Sequence, residues 1–207
     1  MTPTAPATGL EPRTGGLGED SRGGLCVIGC AAPPALRIAD LLKAAVADGW
    51  HVGLVLTPTA AHWLGGTVPA LGRLTGRDVR TTYSPPGQAP PWSLQDAVLI
   101  APATANTLNK CAAGISDNLA LGLINEAIGR GVPVVALACI SHDCAHPAWR
   151  NTLATLGGAG AVVIGADLPT SSPFGWREGL DRLAQLRSRR VSPDGETSSV
   201  SGIRASA

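Results

Sequence analysis

Short apolar segments and helical patterns alternate along most of the chain. The apolar segments are residues 25–30, 51–57, 78–83, 97–101, 132–138 and 161–166. Most of them are continuous apolar runs, which is typical of strands that are covered on both faces. A strand that is followed by a helix and by another strand gives a parallel sheet with helices on both faces. The sequence therefore predicts an α/β fold, a Rossmann-like doubly wound parallel sheet of about six strands in a single domain.

Residues 34–49 have the pattern of an amphipathic helix between the first two segments. Pro34 suits its first turn and Gly49 suits its end. The apolar stripe along one face consists of Ile38, Leu41, Leu42, Ala45 and Val46. Further helices are predicted over residues 59–64, 106–113, 117–128, 147–156 and 176–187.

The two ends of the chain differ from its middle. Residues 1–22 and 191–207 are rich in small and turn-forming residues and have no apolar period, so we expect two disordered tails. The domain is expected to span residues 23–190. The 207-residue chain is 44% hydrophobic, which is enough for one full core.

Charge and hydropathy exclude several classes of protein. The formal net charge of +1 offers no basic field to a nucleic acid. No apolar run reaches the roughly 18 residues that span a bilayer, and the N-terminus lacks the basic and apolar blocks of a signal peptide. Five cysteines are an odd number, which argues against a disulfide scaffold. We therefore expect a cytoplasmic protein with no nucleic-acid or membrane partner.

Sheets of this kind bind ligands outside the carboxyl ends of their strands. The first strand ends at Gly29, which permits close backbone approach, and the helix that follows offers unpaired N–H groups to a phosphate. A tight strand-to-helix turn explains Gly29 equally well. After the second strand, Thr57 can bond a phosphate oxygen beside the small Ala60, or Thr57 or Thr59 can cap a helix.

The fourth predicted strand ends in the sequence APATANT. The small residues Ala101, Ala103 and Ala105 let a flat ring approach the backbone. Asn106 carries a donor and an acceptor, so it can bind a carboxylate or the edge of a heterocycle. Asn is also a common helix cap, and a helix beginning at Thr107 would use it as one.

The segment PATANTLNKCAAGISDNL closely resembles a Pro-Ala-Ser-Ala-Asn-Thr segment and the Gly-Ile-x-Asp-Asn-Leu-like segment that follows it in the homo-oligomeric flavin-containing cysteine decarboxylases. That superfamily includes phosphopantothenoylcysteine decarboxylase and the lantibiotic peptidyl-cysteine decarboxylases. The resemblance runs from about residue 26 to 168. It implies an FMN-binding enzyme that decarboxylates a cysteine-containing small molecule or peptide C-terminus, assembled as a trimer or a multiple of trimers.

The resemblance also assigns roles by position. Gly29 and Cys30 would lie at the flavin phosphate, Thr57 would be a second phosphate contact, and Asn106 would hold the substrate carboxylate. Asp117 and Asn118 would approach the flavin or an adjoining subunit, although helix capping explains them equally well. The residues matched to the cofactor site are Gly29, Cys30, Ala31, Thr57, Ala60, Ala103, Thr104, Ala105 and Asn106.

Two segments depart from the family pattern. The family's decarboxylases use a His shortly before the Pro-Ala-Ser-Ala-Asn-Thr segment, where a gap-free alignment places Gln88, which is no general base near neutral pH. The family's Pro-x-Met-Asn-x-x-Met-Trp loop is replaced by LACISHDC. These losses leave alternatives open: an FMN-binding redox protein, a flavin prenyl-transferase-like protein, or a non-catalytic regulatory subunit.

Several residues of types that bind soft or borderline metal ions lie close together in the replaced loop, between Cys139 and His146. Their spacing matches no zinc pattern, so we predict no metal site. Cys139 is expected to end a buried strand as a small hydrophobe, and His146 to cap the next helix. His142 and Cys144 are instead predicted to face the flavin as redox or acid–base groups, and with Asn106 they are the candidate catalytic residues.

Overall fold

A computed structural model of the chain describes residues 22–92, 96–140, 146–165 and 174–191. Its parallel sheet has the strand order β2-β1-β3-β4-β5. This confirms the predicted α/β architecture, and the winding reverses between β1 and β3. The strands are β1 Gly24–Gly29, β2 His51–Leu56, β3 Ala97–Ala103, β4 Val134–Ala138 and β5 Val162–Ile164.

The segment 78–83, predicted as a strand, forms only a single parallel bridge between Arg80 and Val55. Arg80 donates its N–H to the Leu54 carbonyl at 2.9 Å and accepts from the Leu56 N–H at 3.0 Å. Tyr83, three residues later, is 55% exposed. The segment thus offers the sheet no continuous buried face, and the sheet of the described residues has five strands.

The described residues form seven α-helices and two short 3-10 helices. The predicted helix over residues 34–49 is divided into a 3-10 turn, Pro33–Arg37, and a regular helix. Its stripe is buried except for Val46, which is 43% exposed. The α-helices are α1 Ile38–Ala47, α2 Pro58–Leu64, α3 Val68–Thr75, α4 Ala105–Ala112, α5 Leu119–Gly129, α6 Ala148–Gly158 and α7 Trp176–Val191.

Helix α3 was not predicted from the sequence. It buries one large residue, Leu71, and contains both Pro69 and Gly72. Because Gly65 and Gly66 precede it, the local composition indicates a loop. The helix is stabilised by its packing against α1 and β2, because its own sequence does not indicate a helix.

Helices cover both faces of the sheet, as the continuous apolar strands predict. Leu25 and Val27 of β1 pack on one side with α1, α3 and α7. Cys26 and Ile28 of the same strand pack on the other side with α4, α5 and α6. Within the described ranges, none of the helices combines the length and apolar character that a membrane span requires. The two predicted tails lie almost wholly outside the described residues.

Candidate ligand-binding site

A pocket of about 490 Å³ opens beyond the carboxyl ends of β1, β2 and β3. Doubly wound sheets bind ligands at the point where the strand order reverses, which in this sheet lies between β1 and β3. The volume falls within the range of small-molecule sites. The lining residues are Ala31, Thr57, Pro58, Thr59, Trp63, Thr104, Asn106, Thr107, Lys110, Asp117 and Asn118.

The start of α4 forms one wall of the pocket. Thr104 is its N-cap, and its Oγ1 accepts a hydrogen bond from the Thr107 N–H at 3.4 Å. The hydroxyls of Thr104 and Thr107 lie 3.2 Å apart. The helix therefore begins at Ala105, and the interpretation of Asn106 as its cap is wrong. Asn106 lies in the first turn, where it is exposed and lines the pocket.

Thr57 connects β2 to α2 on the opposite wall. Its N–H donates to the Gly29 carbonyl at 3.0 Å, which joins the ends of β1 and β2. Thr57 occupies the N-cap position of α2 without making a side-chain capping bond, so the capping interpretation is wrong for this residue. Its side chain lines the pocket instead.

Four of the residues matched to the cofactor site line the pocket: Ala31, Thr57, Thr104 and Asn106. Three others are buried beneath it. Ala60 packs on the α1 side of the sheet, and Cys30 and Ala103 pack on the α4 side. Ala105 is half-buried at the start of α4 and is absent from the pocket lining.

Close packing around Gly29 explains why this position has no side chain. A Cβ there would lie 2.7 Å from Ile38 Cδ1 and 2.9 Å from Leu56 Cδ2. The glycine thus lets the end of β1 pack against α1 and β2. This favours the tight strand-to-helix turn over close approach of a ligand.

The Cys30 thiol is buried below Thr104 and Thr107. Burial raises the pKa of this thiol, and hydrogen bonding to the two threonines opposes the shift. The backbone N–H of Cys30 donates to the Pro102 carbonyl at 3.1 Å, and this hydrogen bond connects the ends of β1 and β3. The side chain therefore stays protonated in the pocket floor.

The start of α5 forms the far end of the pocket. Asn118 caps this helix, because its Oδ1 accepts from the Leu121 N–H at 3.1 Å. The preceding Asp117 bonds Lys110 of α4, with Oδ2 and Nζ 2.5 Å apart. The hydrogen bond from Lys110 lowers the pKa of Asp117.

Lys110 was not predicted to belong to the site. It follows Asn106 by four residues on one helix, so both side chains project from the same face. That spacing was visible in the sequence. Its relevance depends on α5 returning beside α4, which no local pattern specifies.

Trp63 belongs to the pocket lining although it was not predicted there, whereas His146 and Gln88 are absent from the lining. Trp63 lines the pocket and is 49% exposed. His146 Nδ1 accepts from the Ala148 N–H, the first of α6, at 3.1 Å, although the N-cap position itself is occupied by Pro147. Gln88 is exposed in the loop after residue 83. The predicted catalytic residues His142 and Cys144 lie outside the described residues.

Cys139 follows β4 and is half-buried. Its N–H donates to the Ala103 carbonyl at 2.8 Å, continuing the β3–β4 pairing. In the part of the chain that the structure describes, no three His, Cys, Asp or Glu side chains are grouped as metal ligands.

Sequence comparison relates this chain to flavoproteins. Residues 19–173 match the family model described as Flavoprotein. A cysteine/cysteine sulfinic acid decarboxylase from an unknown prokaryotic organism is 42% identical over 74 residues, which are 35% of this chain and 19% of the relative. The chain thus spans about a fifth of that relative's length.

Solved structures share the fold at low sequence identity. The FMN-dependent cysteine decarboxylase SpaF matches with a TM-score of 0.60 and 20% identity, over 69% of this chain and 83% of SpaF. The cypemycin decarboxylase CypD matches with a TM-score of 0.65 and 18% identity, over 84% of this chain and 98% of CypD.

Proposed function

This chain belongs to the Flavoprotein family, and from that premise we propose that it binds FMN in the pocket between β1 and β3. We further propose that it decarboxylates a cysteine-containing small molecule or the cysteine at a peptide C-terminus. The observation that carries the proposal is the family match over residues 19–173, together with a pocket at the reversal of strand order.

The residues of the pocket fit a flavin mononucleotide. Thr57, Thr104 and Thr107 bring hydroxyl groups to it, and hydroxyls are suitable partners for phosphate oxygens. The first N–H groups of α4 have no partner within the helix and carry its positive dipole end. Ala31 adds little bulk beside them, which leaves room for the rest of the cofactor.

The side chains supply orientation in this proposal. FMN, when bound, supplies the oxidising capacity that activates a cysteine for loss of carbon dioxide. Asn106 donates its amide N–H to the substrate carboxylate, and the hydroxyls of Thr57 and Thr104 hold the cofactor phosphate. The pocket lies at the surface, so a substrate reaches it directly.

We propose that a second copy of the chain completes the site. Trp63 and Tyr83 are about half exposed, and the Tyr83 hydroxyl donates to the Asn118 carbonyl at 3.4 Å beside the pocket. Exposed aromatic side chains are common in subunit interfaces. A trimer or a multiple of trimers is expected by gel filtration with light scattering, and a monomeric holoprotein would contradict this part of the proposal.

Purified protein tests the cofactor and the reaction separately. FMN titration followed by absorbance and calorimetry should show saturable binding. The holoprotein should then remove carbon dioxide from a peptide that ends in cysteine, as seen by mass spectrometry. The same peptide ending in serine is the matched control. A protein that does not bind FMN would refute the proposal as a whole.

One observation favours a second function, that of an FMN-binding subunit without turnover. Among the described residues that line the pocket there is no His and no Cys, and Gln88 is exposed in a loop. Saturable FMN binding with no loss of carbon dioxide from cysteine-containing substrates would support this function.

A further inference from the structure

We propose that Lys110 determines the specificity of the pocket, by binding the carboxylate of the substrate together with Asn106. In this proposal Asp117 holds the Lys110 ammonium in place when no substrate is bound. The inference rests on the proposed function, because it concerns the substrate of the same pocket.

Lys110 and Asp117 are the ionisable side chains among the residues that line the pocket. Their Nζ and Oδ2 atoms lie 2.5 Å apart, and the two side chains are 33% and 47% exposed. The ammonium is therefore accessible to a ligand that enters the pocket.

The helix places Lys110 close to the predicted carboxylate site and away from the predicted phosphate site. Asn106 and Lys110 are four residues apart on α4, which brings their side chains together on one face. Thr104 precedes Lys110 by six positions, so the two are about 9 Å apart along the helix axis. A carboxylate bound to the Asn106 amide is then within reach of Lys110, whereas a phosphate at Thr104 would lie at the N-terminal end of α4.

Asp117 has a fixed position from which it can orient the lysine. Asn118 donates from Nδ2 to Asp117 Oδ1 at 2.8 Å, while its own Oδ1 caps α5. Exposed ion pairs contribute little to stability. A substrate carboxylate can therefore replace or share the Asp117 contact at small cost, and Lys110 keeps a negatively charged partner in both states.

An oxyanion at Lys110 has two possible sources, the substrate carboxylate and the cofactor phosphate. We assign the carboxylate, because Asn106, the predicted carboxylate ligand, precedes Lys110 by one helical turn on α4, whereas Thr104 lies at the N-cap of that helix. Riboflavin lacks the phosphate, so a comparison of FMN and riboflavin binding tests the second source directly.

The experiment uses the FMN-loaded full chain and two short peptides that end in cysteine. One peptide has a free C-terminal carboxylate and the other a carboxamide. Lys110→Met should weaken binding of the carboxylate peptide about tenfold, the loss typical of one hydrogen bond to a charged group, and leave the carboxamide peptide unchanged. Asp117→Asn should tighten binding of the carboxylate peptide a few-fold, because a competing carboxylate is removed.

Lys43→Met is the matched control, since Lys43 is the other lysine of the chain and is exposed on α1. It should leave both peptide affinities unchanged. Equal weakening of both peptides by Lys110→Met would overturn the proposal, as would the failure of the loaded protein to bind either peptide.

FMN and riboflavin titrations of the wild type and of Lys110→Met complete the test. A selective loss of FMN affinity in the variant would assign Lys110 to the cofactor phosphate and overturn the substrate role. A wild type that binds FMN but shows no dependence on the peptide carboxylate refutes only the Lys110 proposal. A wild type that does not bind FMN refutes the proposed function itself.

Discussion

Substitution of Gly29 by alanine distinguishes a packing role of this residue from a ligand-binding role. Gly29 ends β1 directly before the pocket, and its φ is not among the positive φ values of the described glycines, so alanine can adopt the backbone conformation. The added Cβ would lie 2.7 Å from Ile38 Cδ1 and 2.9 Å from Leu56 Cδ2. Both distances are shorter than a normal carbon–carbon contact of about 3.5–4.0 Å.

Extra methyl groups in a packed core cost about 1–3 kcal/mol. The two crowded atoms are ends of flexible side chains, so we expect Gly29→Ala to lower the free energy of unfolding by about 1–2 kcal/mol. Urea denaturation of the flavin-free protein measures this loss without a contribution from ligand binding. The affinity for FMN should change little, because the methyl group points at α1 and β2.

A double-mutant cycle identifies the crowded atom. Ile38→Val removes Cδ1 and by itself should cost about 0.5–1.5 kcal/mol. In the Gly29→Ala background the same change should cost less, because it also relieves the contact. Gly53→Ala is a control for crowding on β2, where a Cβ would lie 2.8 Å from the Trp92 ring.

The packing role would be refuted by unchanged stability of Gly29→Ala together with weakened FMN binding. That result would mean that Gly29 is needed for close approach of the cofactor phosphate. Additive effects in the cycle would show that Ile38 Cδ1 is not the atom that matters.

Three further predictions address the helix caps and the buried thiols. Asn118→Ala should lower the free energy of unfolding by about 1 kcal/mol through loss of the α5 cap, as measured by urea denaturation. Asn118→Asp can still cap the helix and should retain most of the wild-type stability. Thr104→Val should weaken FMN binding in calorimetry and should lower the free energy of unfolding by about 1 kcal/mol through loss of the α4 cap. Thr104→Ser keeps the hydroxyl and should preserve both the FMN affinity and the stability. Equal FMN affinities in the two variants would count against a phosphate contact. Burial raises the pKa of Cys26 to about 12 and that of Cys111 to about 11. Because the unfolded thiols lose their protons near pH 8.5, the free energy of unfolding should fall as pH rises from there, by about 1 kcal/mol per thiol at pH 9.5. Denaturation curves that are unchanged over that interval would contradict the burial of these two thiols.

Local patterns in the sequence were enough to predict most of the elements. Continuous apolar runs identified β1 to β5, because strands covered on both faces need apolar residues at every position. The same runs predicted a ligand site at the strand ends, and a pocket opens there. Two elements were predicted wrongly. Helix α3 was missed because it is short and flanked by glycines, and residues 78–83 were predicted as a strand although they form only one bridge to β2, at Arg80.

The identity of the pocket residues was decided by tertiary structure. Cys30 and Ala103 were matched to the cofactor site by position, yet both side chains pack in the core on the α4 side of the sheet. Whether a side chain at a strand end faces the pocket depends on how neighbouring strands and helices pack there, and that involves residues far apart in the chain.

The sequence alone determined the parallel sheet and predicted the edge at which the pocket opens, because both follow from apolar periodicity and the order of elements. The spacing of Asn106 and Lys110 on one helix was visible in the sequence, but only the structure showed that Lys110 contacts Asp117. That contact depends on how the chain turns between α4 and α5, and the apolar patterns of the two helices do not specify this turn.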